Sequence, residues 1–219
     1  MATRQLLAEL TQAYAQRSGQ TVLIESVGGV DAAKRVQAGE VFDLVVLASD
    51  AMAKLVAAGH LRADSLTALV HSGVAVAVPA GSPALDISSE EAVRQAVLAA
   101  PTLAYSTGPS GVALAKLFER WGIAELIQPR LVTAPPGVPV GNLVAKGEVA
   151  LGFQQLSELI HVPGITVLGP LPDAIQITTA FSAAVTSVCK RPAEVQAFLT
   201  FMASSEVAAL KHKQGMAPA

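Results

Sequence analysis

The chain has 219 residues, 52% hydrophobic and 15% charged, with a net charge of −2. That balance suits an α/β protein of one large or two small domains, and it excludes the basic surfaces that nucleic acid or an anionic membrane attracts. No apolar run reaches the ~18 residues of a membrane span, and the single cysteine, Cys189, leaves no partner for an internal disulfide.

Leu6, Leu7, Leu10 and Tyr14 predict a first helix with Thr3 as N-cap and Gly19 as terminator. The start "MATRQLLAEL" turns amphipathic at once, without the apolar core of a signal peptide, so as written the chain reads as cytosolic or as shortened. "TVLIES" reads as a buried strand and "VGGV" as a turn, followed by a short helix over 31–38 closed by Gly39. "FDLVVLA" is a second strand; Ser49 and Asp50 cap a helix carrying Met52, Leu55 and Val56. "LTALVHSGVAVAVP" reads as a long apolar strand segment broken at Ser72-Gly73, and "SSEEAVRQAVLAA" as a helix with a Ser cap.

The strand "PTLAY" leads into "YSTGPSG", and a helix with Leu114, Leu117, Phe118 and Trp121 on one face starts immediately. Gly108 and Gly111 permit close backbone approach, Ser106, Thr107 and Ser110 supply hydroxyls, and the helix start supplies free N–H groups. Together these make an anion pocket, or else an ordinary helix cap. The stretch is neither a Walker loop nor a G-x-G-x-x-G fingerprint. Beyond it lie strands "RLVTA", "VALGF" and "ITVLGPLP", short helices in "PPGVPVGNLVAKGE" and "QQLSELI", and a long strand-like "IQITTAFSAAVTSVC". A core-facing helix with Val195, Phe198, Leu199 and Met202 and a final short one close the chain.

Alternation of strands and helices predicts an α/β fold of mainly parallel sheets flanked by helices. The long segments 66–79 and 174–189 are places where one chain crosses between two lobes, and the turns after the strands would line a common cleft. The expected lobes are 1–78 with 178–219, and 80–174, with crossovers near 78–80 and 174–177. His60, His71, His161 and His212 show no metal-ligand spacing, so no metal and no cofactor are expected. Nor is there a G-x-S-x-G elbow or a Ser/His/Asp arrangement. Candidate acid/base groups are His71 beside Ser72, Glu25 at the end of "TVLIE", and Tyr105; Gln154 and Gln155 follow a strand end and offer amide donors.

The pieces "RVQAGEVFDLVVLASDAMAKLVAAGHL", "YSTGPSGVALAKLFERWGI", "LVAKGEVALGF", "VLGPLPDAIQITTAFSAAV" and "EVQAFLTFMASSEVAALKHKQGM", in this order, resemble the periplasmic molybdate-binding proteins and their solute-binding relatives. That resemblance implies the two-lobed type II periplasmic-binding-protein fold, a small anionic ligand in the cleft, an ABC permease as partner and a periplasmic location. Carried over by position, the family's ligand contacts fall near Met1 to Thr3, on Gly28, Gly29 and Val30, on Ser110, on Val138 and on Gln155. Ser49, Ser72, Thr107, Gly111 and Gln154 complete the candidate ligand set. The pattern departs where a hydroxyl-rich loop is replaced by "VGGV" and where a frequent tyrosine is Gln155. Relatives similar to aconitate isomerase, which move a double bond by proton transfer, imply an organic-acid isomerase as the alternative activity.

Overall fold

The computed structural model describes residues 2–135 and 137–219. They form two compact units, Met1–Ser72 with Thr179–Ala219, and Gly73–Thr178. The first change of unit falls inside a strand, β2 (Thr67–Pro79), which runs unbroken through Ser72 and Gly73.

The first unit begins with α1 (Arg4–Ser18), whose buried face is Leu6, Leu7, Leu10 and Tyr14. Burying such side chains contributes roughly 1.5–3 kcal/mol each. Gly19, at φ 72°, turns the chain out of the helix. The next stretch corrects the sequence reading, because "TVLIES" is not a strand and residues 19–28 hold no regular structure. Val22 and Ile24 are half-buried against the core while Leu23 is 91% exposed. The alternation is genuine, but no ladder partner lies beside it among the described residues. Next come α2 (Gly29–Gln37), β1 (Leu44–Ala48) and α3 (Ser49–Ala57).

After the second unit the chain returns through β7 (Thr178–Val185), α9 (Pro192–Ala203), α10 (Ala208–Lys213) and β8 (Met216–Pro218). Strand β1 pairs antiparallel with β7, from Leu44↔Val185 to Ala48↔Phe181. Strand β8 pairs antiparallel with the start of β2, Ser72 facing Met216. Two cores result. Leu6, Leu10, Tyr14, Phe198, Leu199 and Met202 pack with Leu69, Val70 and Val185. Val36, Met52, Leu55 and Leu61 pack with Val45 and Leu47 of β1.

The second unit holds the rest of β2 and α4 (Glu90–Ala99), β3 (Leu103–Ser106), α5 (Pro109–Arg120) and α6 (Ala124–Ile127). It continues with β4 (Leu131–Ala134), α7 (Val140–Ala145), β5 (Leu151–Gln155), α8 (Leu156–Leu159) and β6 (Ile165–Pro170). Strand β3 is parallel to β4 and β5. The pairings through β2, to β5 and β6, are antiparallel. Parallel neighbours need a crossover, and α5 and α7 supply it.

Strand alternation sorts the side chains of this unit into two faces. Val74, Val76, Leu103, Leu151 and Phe153 pack under α4 and α5 with Val97, Leu114 and Phe118. Ala75, Ala77 and Ala104 lie on the other face, with Val140 and Val144 of α7 and Leu159 of α8.

Candidate functional site

In the second unit the parallel register places the carboxyl ends of β3, β4 and β5 on one sheet edge: Ser106 faces Ala134, and Tyr105 faces Phe153. Each strand runs into the start of α5, α7 or α8. Ligands of open α/β sheets bind at this edge, and the predicted Thr107, Ser110, Gly111, Val138, Gln154 and Gln155 all lie along it.

Helix α5 has no side-chain cap. Its N-cap is Gly108, and Pro109 opens the first turn. The remaining first-turn N–H groups have no intrahelical partner, so the positive end of the helix is left for something outside it. Ser110 is buried and Thr107 exposed. Gly111 has a different reason from the one its sequence context implies. A Cβ there would lie 1.6 Å from the Ser106 carbonyl oxygen and 3.1 Å from Tyr105 Cδ2, so packing of helix on strand demands the glycine.

The two adjacent amides divide by strand parity. Gln154 faces α7, where its Oε1 accepts from the Gly141 N–H at 3.1 Å. Gln155 lies on the opposite face, the face of Phe153 and of its register partner Val74, toward α5. Its Oε1 is buried and has no hydrogen-bond partner. A buried unpartnered polar atom costs about 1–3 kcal/mol, so this one is open to a partner from outside the chain, a water or a ligand. Ser157 Oγ, buried at the start of α8, is a second such atom. Sequence reasoning missed it, because a serine in a short helix carries no distinguishing pattern. Val138 is 38% exposed, and its N–H donates to the Pro135 carbonyl at 3.0 Å.

In the first unit Gly28 caps α2 without a side-chain bond, and a Cβ on Gly29 would sit 3.7 Å from Leu47 Cδ2, at ordinary contact distance. Ser49 is the first residue of α3 rather than its N-cap, which is Ala48. Its Oγ lies 2.7 Å from Ser182 Oγ of β7, a contact invisible before the strands are paired. Thr3 is buried at the N-cap of α1 but makes no capping bond. Ser72 is fully buried, its Oγ unpartnered. Met1, also in the expected set, lies outside the described residues.

The three acid/base candidates are placed differently. His71 is exposed on β2, alternating with buried Ser72. Glu25 is exposed and paired with Arg35 at 2.8 Å. Arg35 also holds Glu40 and covers the Phe42 ring at 4.8 Å, so this cluster anchors α2. Tyr105 packs against Phe118 with the rings tilted by 44° and their centroids 6.2 Å apart. Glu158 is half-buried on α8; burial pushes its carboxyl pKa up, opposed in part by a hydrogen bond from Gln154. Among the described residues no group of three or more His, Cys, Asp or Glu is placed to hold a metal, and no helix is long and apolar enough to cross a membrane.

The family model for bacterial extracellular solute-binding proteins matches residues 1–217. Aconitate isomerase from Pseudomonas sp. is 37% identical over 220 residues, covering 97% of this chain and 83% of that protein. The periplasmic molybdate-binding protein of Azotobacter vinelandii superposes with a TM-score of 0.81 at 20% identity, covering 98% of this chain and 95% of that one. The tungstate-binding protein TupA of Desulfovibrio alaskensis superposes with a TM-score of 0.70 at 17% identity, covering 98% and 93%.

Proposed function

Because the chain belongs to the bacterial extracellular solute-binding protein family and has the α/β type II periplasmic-binding-protein fold, we propose that it binds a small polycarboxylate anion. The observation that carries this reading is the uncapped start of α5 on the same sheet face and edge as the buried, unpartnered Gln155. Helix N–H groups and the Ser110 hydroxyl donate to one carboxylate. A carboxylate only accepts, so Gln155 serves it through its Nε2–H donors once the amide turns that end toward the ligand, and planar donors suit a ligand with several planar oxygen groups better than a compact tetrahedral oxyanion. An ABC permease is the partner that family membership supports.

A second reading is proton-transfer isomerisation of the bound acid, favoured by the 37% identity to a protein named aconitate isomerase. The step removes a proton from a methylene carbon next to a carboxylate, shifts the double bond along the allyl unit and returns a proton to its far carbon.

Thermal-shift and calorimetric titration with cis-aconitate, trans-aconitate, citrate, molybdate and glucose tests both readings. A ligand at a hundred times its Kd adds about 2.7 kcal/mol of stability. Stabilisation by polycarboxylates supports the first reading, while stabilisation by molybdate alone, or by glucose alone, overturns it. Proton NMR of cis-aconitate in D2O then separates binding from turnover: deuterium incorporation with conversion to the trans isomer establishes the isomerase, and unchanged spectra reject it.

A further inference from the structure

Between β6 and β7 the chain passes through a single 3₁₀ turn, Asp173–Ile175, and reaches the half-buried Gln176. Its side-chain Oε1 accepts from two backbone groups, the Val74 N–H at 2.9 Å and the Ile177 N–H at 2.8 Å. Its Nε2 donates to the Leu171 carbonyl at 3.2 Å. Val74 N–H is shared with the Ile177 carbonyl at 3.1 Å, and the Val74 carbonyl accepts from Leu171 N–H at 3.0 Å. One amide side chain thus ties the segment 171–177 to a single point of β2.

That point bears on the candidate anion site. Val74 is the register partner of Gln155, so whatever holds Val74 along the strand direction also holds the backbone from which Gln155 projects. Gly73, next to it, faces the same amide. A Cβ at position 73 would lie 3.1 Å from Gln176 Nε2 and 3.2 Å from its Cδ, close enough that the amide would have to give way. A glycine in mid-strand normally weakens the strand; here it makes room for the clamp.

We propose that Gln176 is a positioning residue for the anion site, fixing Val74 and through it the placement of Gln155; this rests on the anion-binding reading above. Gln176 touches no ligand. It acts on Gln155 by locking the ladder in which that residue sits, as polar groups behind a binding site orient those in front.

The test uses the full chain, with Gln176→Leu, Gln176→Glu and Gly73→Ala as variants and cis-aconitate as probe. Hydrogen exchange at the Val74 and Ile177 amides reads the clamp itself, and calorimetry reads the site. Gln176→Leu removes both acceptor bonds: Ile177 N–H loses its partner and exchanges at least tenfold faster, Val74 N–H, which keeps the Ile177 carbonyl, speeds up by less, and the Kd for cis-aconitate rises at least fivefold. Gln176→Glu keeps an acceptor oxygen for both N–H groups but turns its second oxygen on the Leu171 carbonyl, so it restores part of the protection and affinity, a partial rescue that mere loss of packing does not produce. Gly73→Ala, which crowds the amide without deleting it, moves both readouts in the same direction by less and serves should the leucine variant fail to fold. Faster exchange with unchanged Kd overturns the positioning role, and unchanged exchange overturns the clamp. A parent protein that binds no polycarboxylate overturns the functional reading and the positioning role with it, while the exchange data still report on the clamp.

Discussion

Position 111 shows how a residue at a candidate site can be indispensable for a reason unrelated to ligand. Any side chain there meets the Ser106 carbonyl at 1.6 Å, so Gly111→Ala should destabilise the free protein by about 1–3 kcal/mol or more, read as a drop in denaturation midpoint with or without ligand. Ser110 is the informative neighbour. The N-cap of α5 is Gly108 and no hydroxyl caps the helix, so Ser110→Ala should leave the melting temperature of the free protein nearly unchanged. Losing a hydrogen bond to a charged group costs about 1.5–3 kcal/mol of affinity, visible by titration calorimetry. If Ser110→Ala lowers the melting temperature and leaves anion affinity intact, the hydroxyl is structural. Gln155→Leu should split the two properties the other way. It removes a buried unpartnered oxygen, which raises stability by up to about 1 kcal/mol, while anion binding weakens.

At the scale of elements, amphipathic helices and apolar strands were legible wherever periodicity and packing agree. Leu6, Leu7, Leu10 and Tyr14 mark the face that α1 buries, and Leu114, Leu117 and Phe118 the face that α5 buries. The Ser89 cap was legible too, and its Oγ accepts from Ala92 N–H at 3.1 Å. Ser89→Ala should therefore cost about 0.5–2 kcal/mol in chemical denaturation, without touching ligand affinity. What could not be read needed pairing information. "TVLIES" alternates as a half-buried strand should, yet alternation reports burial and not the presence of a neighbour to complete a ladder. The glycine at position 73 looked like an interruption, because its reason, the Gln176 amide, lies a hundred residues away. Gln154 and Gln155 are indistinguishable until register assigns one to each sheet face. Ser182 and Ser157 had no local signature at all.

For the whole molecule, acid should destabilise the fold, and one residue should oppose the trend. The Arg191 hydrogen bond holds Asp43 below the usual aspartate range, and Glu40 and Glu90 are held low chiefly by hydrogen bonds from Arg35 and Trp121. A carboxylate whose pKa is depressed in the fold contributes stability that is complete above its unfolded value, about 3.9–4.3, and is lost as pH falls through the folded value. Glu158 is shifted upward by burial, so its contribution is complete below about pH 4 and is lost as pH rises through its folded value. Glu158→Gln should thus raise the melting temperature at about pH 7 and change it little near pH 3.5; an equal change at both would place the shift elsewhere. A last property concerns how copies of the chain behave in concentrated solution. Strand β1 stands at one end of the strand order with an entirely apolar sequence, "LVVLA", and Leu23 and Val41 are 91% and 78% exposed. Natural edge strands are blunted by lysine, proline or a bulge, and this one has none of them. Its outer ladder, unpaired among the described residues, and these exposed apolar side chains of the same unit invite self-association between molecules, growing with concentration. Leu23→Lys, a charge placed as a gatekeeper, should lower the slope of light scattering against concentration, leaving the melting temperature and anion affinity as they are.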